Sequence, residues 1–163
     1  MTAAPRTLFV YGTLMSSASG SLGADERARL HASARRLGSG RMAGHLYDLG
    51  DYPGLLPLVR GSHPLVTMEY VRGEVLVLTD PEAVFAWLDV YEGIVAGQPD
   101  PEYRREAHEI DVMLGDAGGH SLTPSSTMLC WVYVLARPVA GLAPVEGGTW
   151  IASTPRAISR DGV

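Results

Sequence analysis

Two short stretches carry the groups best suited to chemistry. The first is Tyr11-Gly12-Thr13-Leu14, which follows the apolar run Leu8-Phe9-Val10. A buried strand that breaks into a glycine turn leaves backbone N–H groups facing outward, and these can hold a carboxylate or a developing oxyanion. The second is Leu88-Asp89-Val90-Tyr91-Glu92-Gly93, which supplies a carboxylate. Val84, Trp87, Leu88 and Tyr91 fall at i, i+3, i+4 and i+7, the stripe of a packed helix, and Phe85, Leu88 and Glu92 form a second line beside it. Glu92 therefore sits at the edge of the buried face. It also sits at the helix C-terminus, where the macrodipole disfavours negative charge. Burial and dipole both raise a carboxylate's pKa, and a glutamate tuned toward neutrality suits general acid–base work. Spacing alone leaves the plainer readings open: Glu92 as a solvated helix end with Tyr91 in the core, and the glycine turn as an ordinary strand ending.

Other chemistries find less support. The five histidines (His31, His45, His63, His108 and His120) show no H-x-x-x-H or H-x-E spacing, so no metal site is expected. The one cysteine, Cys130, lies in an apolar strand, where a thiol behaves as a small hydrophobe. There is no G-x-S-x-G elbow and no phosphate-cradling G-x-x-x-x-G-K-[ST] loop. Gly38-Ser39-Gly40 lacks the third glycine of a dinucleotide turn. Arg104 and Arg105 alternate along a strand, so at most one of them faces a given pocket.

The elements that must position these groups read as follows. Residues 7–11 form a strand, and a Ser/Gly loop covers 16–23. A helix is expected over 25–37, with Leu30, Ala34 and Leu37 on one face, acids at its start, Arg35 and Arg36 at its end and Gly38 as the stop. Strands follow over 41–49 and 70–78, separated by the turn residues 50–54. Asp80-Pro81-Glu82 opens a helix that runs to Tyr91 or Glu92 and stops at Gly93. A strand over 103–114, a polar connection over 115–126 and a strand over 127–135 complete the pattern, and the tail after Ile151 reads as loosely held. Strands outnumber helices and do not alternate with them. The expected class is α+β, a small mixed β-barrel of five to six strands with short helices packed outside.

The chain has 163 residues, enough for one domain spanning 1–163 with a real core. The hydrophobic fraction is 46% and the charged fraction 19%, values usual for a globular protein. A net charge of −5 argues against nucleic-acid or anionic-membrane partners. One cysteine allows no internal disulfide, and no signal peptide or membrane span is evident, so a cytoplasmic location is expected.

Taken in order, Phe9-Val10-Tyr11-Gly12-Thr13-Leu14, Gly44-His45-Leu46-Tyr47-Asp48-Leu49, Tyr52-Pro53-Gly54-Leu55, Val71-Arg72-Gly73-Glu74-Val75, Leu88-Asp89-Val90-Tyr91-Glu92-Gly93, Tyr103-Arg104-Arg105 and Trp131-Val132-Tyr133-Val134 resemble the γ-glutamylcyclotransferase-like superfamily. Within it the chain is similar to the avirulence-induced-gene-like and γ-glutamylamine cyclotransferase branch, over about residues 7–135. The resemblance implies a mixed β-barrel with flanking helices, a catalytic glutamate at Glu92 and a substrate-holding turn at Tyr11, Gly12, Thr13 and Leu14. It also implies pocket tyrosines at Tyr103 and Tyr133.

The implied substrate is a small γ-glutamyl amine or peptide, and the implied products are 5-oxoproline and a free amine. The substrate's own α-amine is the nucleophile, so no activated serine or cysteine, metal or cofactor is needed. Closing a five-membered lactam gains much from positioning alone, with effective molarities of ~10⁵ M or more in well-oriented cases. Two segments depart from the family pattern: the long 93–103 loop with Pro99 and Pro101, and an insert over 61–68. Both leave the amine leaving group open. The same features fit two alternatives, a non-catalytic ligand-binding or regulatory module and removal of a γ-glutamyl protecting group in specialised-metabolite biosynthesis.

Overall fold

A computed structural model describes residues 3–58, 69–114 and 126–151. Strand β1 (Thr7–Val10) is followed by helix α1 (Ala24–Ala32) and then by the long β2 (Ala34–Asp48). The order continues with β3 (Pro53–Pro57), β4 (Tyr70–Leu78), α2 (Pro81–Tyr91), β5 (Tyr103–Leu114) and β6 (Ser126–Leu135). A two-residue β7 (Ala143–Pro144) and a single 3₁₀ turn (Glu146–Gly148) end it.

Strands β2, β4, β1, β6 and β5 hydrogen-bond in that order, and β2 pairs again with β5 to close a five-stranded barrel. Among the described residues only the β1–β6 pairing is parallel, at Leu8 opposite Trp131. The length of β2 makes closure possible. Its first half pairs with β4 and β5, while its second half leaves the barrel and pairs with β3 and β7. A register shift between Arg36 and Gly38 bends it where it turns between neighbours.

The alternation of β1 divides the core. Phe9 and Tyr11 point into the barrel with Met42, Val71, Val75, Ile110, Cys130 and Val132. Leu8 and Val10 point outward against Leu76, Leu78 and the α2 residues Val84, Phe85 and Leu88. Helix α2 thus packs on the outer face of β1 and carries its C-terminus to the end of that strand, where the glycine turn begins.

The expected strands over 70–78 and 103–114 and the α2 helix agree with the structure. The first helix does not. It ends at Ala32 with Ser33 as its C-cap, and Ala34, Arg35, Arg36 and Leu37 belong to β2. Arg35 lies opposite Val77 and Arg36 opposite Leu76, so a ladder with β4 overrides the local helical pattern. Pro53 and Gly54, expected in a turn, begin β3. Tyr91 is not in the core stripe of α2: it is 38% exposed, and Phe85 is buried instead. The polar connection over 115–125, the 61–68 insert and the tail beyond Ile151 lie outside the described residues. Among the described residues no helix is long and apolar enough to cross a membrane.

Candidate active site

The glycine turn is held from behind by its own carbonyls. Met15 N–H donates to the Gly12 carbonyl at 3.1 Å. From α1, Arg27 Nη1 donates to the Thr13 carbonyl at 2.8 Å and His31 Nε2 to the Leu14 carbonyl at 2.8 Å. A carbonyl only accepts, so this His31 nitrogen carries the proton. With three successive carbonyls tied to the protein, the N–H groups of Gly12, Thr13 and Leu14 have no protein acceptor among the described residues. Gly12 is required by space: a Cβ there would stand 2.8 Å from Cγ of Pro53. The turn lies directly on that proline ring.

Further along the same loop, Glu74 of β4 accepts from Ser16 Oγ at 2.6 Å and from the Ser17 N–H at 3.4 Å. Arg36 Nε donates to it at 2.8 Å. Glu74 is buried. Burial alone would raise its pKa, but Ser16, Arg36 and Ser17 outweigh it and hold the carboxyl below the usual range.

Glu92 is delivered by the way α2 ends. Asp80 caps the start, its side chain accepting from Ala83 N–H at 3.1 Å, with Pro81 behind it. At the far end Gly93 adopts φ +80°, Gly93 N–H bonds to the Val90 carbonyl at 3.0 Å and Ile94 N–H to the Asp89 carbonyl at 2.8 Å. This paired ending is a Schellman motif, and it makes Glu92 the C-cap residue.

Both halves meet in one cavity of about 510 Å³. Its walls include Tyr11, Gly12, Thr13 and Leu14, the α2 end Tyr91-Glu92-Gly93, Tyr103 and Tyr133, together with Tyr52, Asp100 and Glu102. Every site residue expected from the sequence therefore lines the same space. The Tyr91 hydroxyl and Thr13 Oγ1 both stand beside Gly23, at 2.9 Å and 3.4 Å from the place of a Cβ there, so the helix end and the turn approach each other at this glycine.

The Glu92 carboxyl has no hydrogen-bond partner or counter-ion among the described residues. The residue keeps some contact with solvent, but protein surrounds the carboxyl on most sides. Burial, then the negative charges of Asp89 and Glu102, push its pKa up to about 7. This is the poise a proton shuttle needs near neutral pH. Burial, one of the two expected causes, comes first; the neighbouring carboxylates of Asp89 and Glu102 stand beside it where the helix dipole was invoked.

The tyrosines play a different part from simple ligand contacts. Tyr11 donates to the Tyr133 carbonyl at 2.6 Å and accepts from Leu55 N–H at 3.2 Å. Tyr103 donates to the Pro53 carbonyl at 2.7 Å, and Tyr133 to Asp89 Oδ1 at 2.6 Å. Burial chiefly pushes all three phenols well above their ordinary range, so they stay neutral. Their hydroxyls are engaged with the protein and their rings form the cavity wall.

Arg27, His31 and Pro53 were not legible as site residues. Arg27 and His31 act through backbone carbonyls, which leave no motif, and Pro53, though part of the Tyr52-Pro53-Gly54-Leu55 motif, gave no sign that its ring packs on the turn. Cys130 is fully buried, and burial pushes its thiol up to about 11. Arg104 bonds to Glu106 and Arg105 to Asp89, and neither lines the cavity. Among the described residues no group of three or more His, Cys, Asp or Glu side chains is placed to hold a metal ion.

Comparison with known proteins agrees with this fold. A family model described as gamma-glutamyl cyclotransferase, AIG2-like, matches residues 8–152. An AIG2-like protein from Mus musculus superposes with a TM-score of 0.60 at 23% identity, covering 92% of this chain and 90% of that one. The Escherichia coli protein ytfP gives 0.51 at 28% identity, covering 88% and 95%. A protein from Pyrococcus horikoshii gives 0.52 at 15% identity, covering 88% and 87%. No curated protein matches the chain significantly.

Proposed function

We propose, from the premise that this chain belongs to the gamma-glutamyl cyclotransferase, AIG2-like family, that it converts a γ-glutamyl amine to 5-oxoproline and the free amine. One observation carries the reading. A glutamate with no partner among the described residues, poised near neutrality, lies in the same cavity as a turn whose N–H groups have no acceptor among those residues.

The chemistry then follows from what each group offers. The N–H groups of Gly12, Thr13 and Leu14 hold the substrate carboxylate or the oxyanion formed at the γ-carbonyl. Ionised Glu92 takes a proton from the substrate's α-ammonium. The freed amine attacks the γ-carbonyl carbon and closes the five-membered ring. Glu92 passes the proton to the departing nitrogen as the amide C–N bond breaks. Two protons leave the ammonium in all and two reach the departing amine, so a single carboxyl shuttles them in turn and charge balances. The nucleophile is the substrate's own, which fits a site whose only buried thiol lies elsewhere in the barrel.

The outer cavity bears on the leaving group. Asp100 and Glu102 line it, and among the described residues no arginine or lysine does; Arg137, outside the lining, is already paired with Glu102. A peptide leaving group would bring its own carboxylate beside these acids with no cation in that lining to meet it. The lining favours a simple amine.

Mass-spectrometric detection of 5-oxoproline from a panel of γ-glutamyl amines and γ-glutamyl peptides tests the proposal. Release that disappears in Glu92→Gln is expected. Release that survives this substitution overturns the role of Glu92. Binding of the panel with no product overturns turnover and favours a ligand-holding module.

A further inference from the structure

Asp89 stands three residues before Glu92 on α2, and its carboxylate is fully engaged. Arg105 of β5 donates Nε to Oδ1 at 2.9 Å and Nη2 to Oδ2 at 3.1 Å, a two-pronged pair. Tyr133 of β6 donates to Oδ1 at 2.6 Å. Arg105 is itself fixed: its guanidinium lies 3.9 Å from the Phe85 ring centre and 4.6 Å from that of Trp131. Those two rings meet edge to face at 6.1 Å and form a slot for the cation. Nothing in the cyclisation itself uses this arrangement.

We propose that Arg105 and Asp89 form a positioning pair that sets how readily Glu92 gives up its proton and fixes Tyr133 against the cavity. This rests on the reading of Glu92 given above. The groups that face Glu92 are Asp89 from its own helix, Glu102 from the segment before β5, and the phenols of Tyr11, Tyr103 and Tyr133. Two of these are anionic, and no cation pairs with Glu92 among the described residues. Both anions have an arginine partner. Glu102 meets Arg137 at 3.3 Å in an exposed pair, which water and salt weaken. Asp89 meets Arg105 with both side chains about three-quarters buried. The Arg105 pair is therefore the stronger brake on negative charge near Glu92. Without it, the field of Asp89 would hold the proton on Glu92 more tightly. Without Asp89, the proton would leave more easily. Neither residue touches the reacting atoms, so each acts through Glu92 and Tyr133.

The test is the pH dependence of kcat/KM for 5-oxoproline release from a γ-glutamyl amine, measured on the full chain, four variants of the pair and Glu92→Gln. Arg105→Met keeps the aromatic slot filled and removes the charge. Asp89→Asn keeps an acceptor for Tyr133 and removes the charge. Loss of the cation should move the acid limb up by about one pH unit, and loss of the anion should move it down by a similar amount. The double variant should return to within about 0.3 unit of the parent, because the two charges vanish together. Arg105→Lys, which keeps the charge, should stay near the parent. A merely structural pair would lower rate or melting temperature and leave the limb in place. If one variant does not fold, the carboxyl ¹³C shift of Glu92 titrated in the other single variant gives the same readout. A limb that stays fixed in both single variants, while Glu92→Gln still abolishes release, overturns the pair and leaves the Glu92 reading standing. A fully active Glu92→Gln protein overturns that reading itself, and the pair with it.

Discussion

Tyr91 and Thr13 meet at Gly23, although one ends a helix and the other lies in a turn 78 positions earlier: a Cβ at Gly23 would stand 2.9 Å from the Tyr91 hydroxyl and 3.4 Å from Thr13 Oγ1. The two halves of the cavity approach each other here. Tyr91, which helical spacing assigned to the core, instead stands partly exposed at the cavity wall. Tyr91→Phe should keep the fold and loosen the turn against the helix. We expect KM for a γ-glutamyl amine to rise several-fold with a smaller change in kcat. An unchanged KM would show that the turn keeps its place without this hydroxyl.

Glu92→Gln removes the proton shuttle and leaves the shape of the cavity intact. A positioned acid–base group contributes about 10²–10⁴ in rate, so kcat for 5-oxoproline release should fall by at least that lower bound. In the parent, kcat/KM should rise with pH through a midpoint near 7, where Glu92 ionises. Any residual activity in the variant should lack that limb.

The same carboxyl has a cost in stability, and its sign is fixed. Its folded pKa lies above the unfolded value, so the native state binds more protons than the unfolded chain between about 4.5 and 7. Stability should therefore fall as pH rises through that window, and Gln at this position should escape the loss. Chemical denaturation at pH 8 should find the Glu92→Gln protein more stable, by about 2 kcal/mol; partial access to water keeps this below the full value of the shift. The difference should vanish below pH 4.5.

Glu74 shows the opposite linkage. Its folded pKa is depressed, so the stability it contributes is present above the unfolded carboxylate value and is lost as pH falls through the folded one. Glu74→Ala would leave Arg36 and Ser16 without their acceptor. A loss of roughly 2–3 kcal/mol at pH 7 is expected, shrinking in acid. Because Glu74 holds the loop that follows the turn, KM should rise as well.

Gly12→Ala tests the contact between the turn and Pro53. The added methyl would lie 2.8 Å from Cγ of the ring, so either the turn or β3 must move. Displacing a positioned substrate contact by about 1 Å costs on the order of 10² in rate. Activity should fall far more than stability. A fully active variant would show that the ring yields without disturbing the turn.

Much of this arrangement was readable from local signals. α2 carries its own start and stop in Asp80, Pro81 and Gly93, and the strands over 70–78 and 103–114 alternate or run apolar as strands do. The turn and Glu92 were readable as separate candidates. What the chain hides is how distant segments meet. Arg35 and Arg36 look like a helix end because the residues around them have helical spacing; only the ladder to β4 makes them strand. Arg27 and His31 look like ordinary surface residues of a short helix, since the carbonyls they hold have no sequence signature. The burial that chiefly raises the Glu92 pKa was readable in part from helical spacing, but the approach of Glu102 from another segment depends on packing that periodicity does not encode.

The turn around Gly12 offers peptide N–H groups and not side chains. A contact surface of this kind has little to lose by truncation. An alanine scan across Thr13 and Leu14 would leave each of its donors in place, and drift in these side chains would not erase them. Proline is the one substitution that deletes a donor outright. The recognising surface is therefore robust to most point changes, and fragile at the residues that hold its shape from outside.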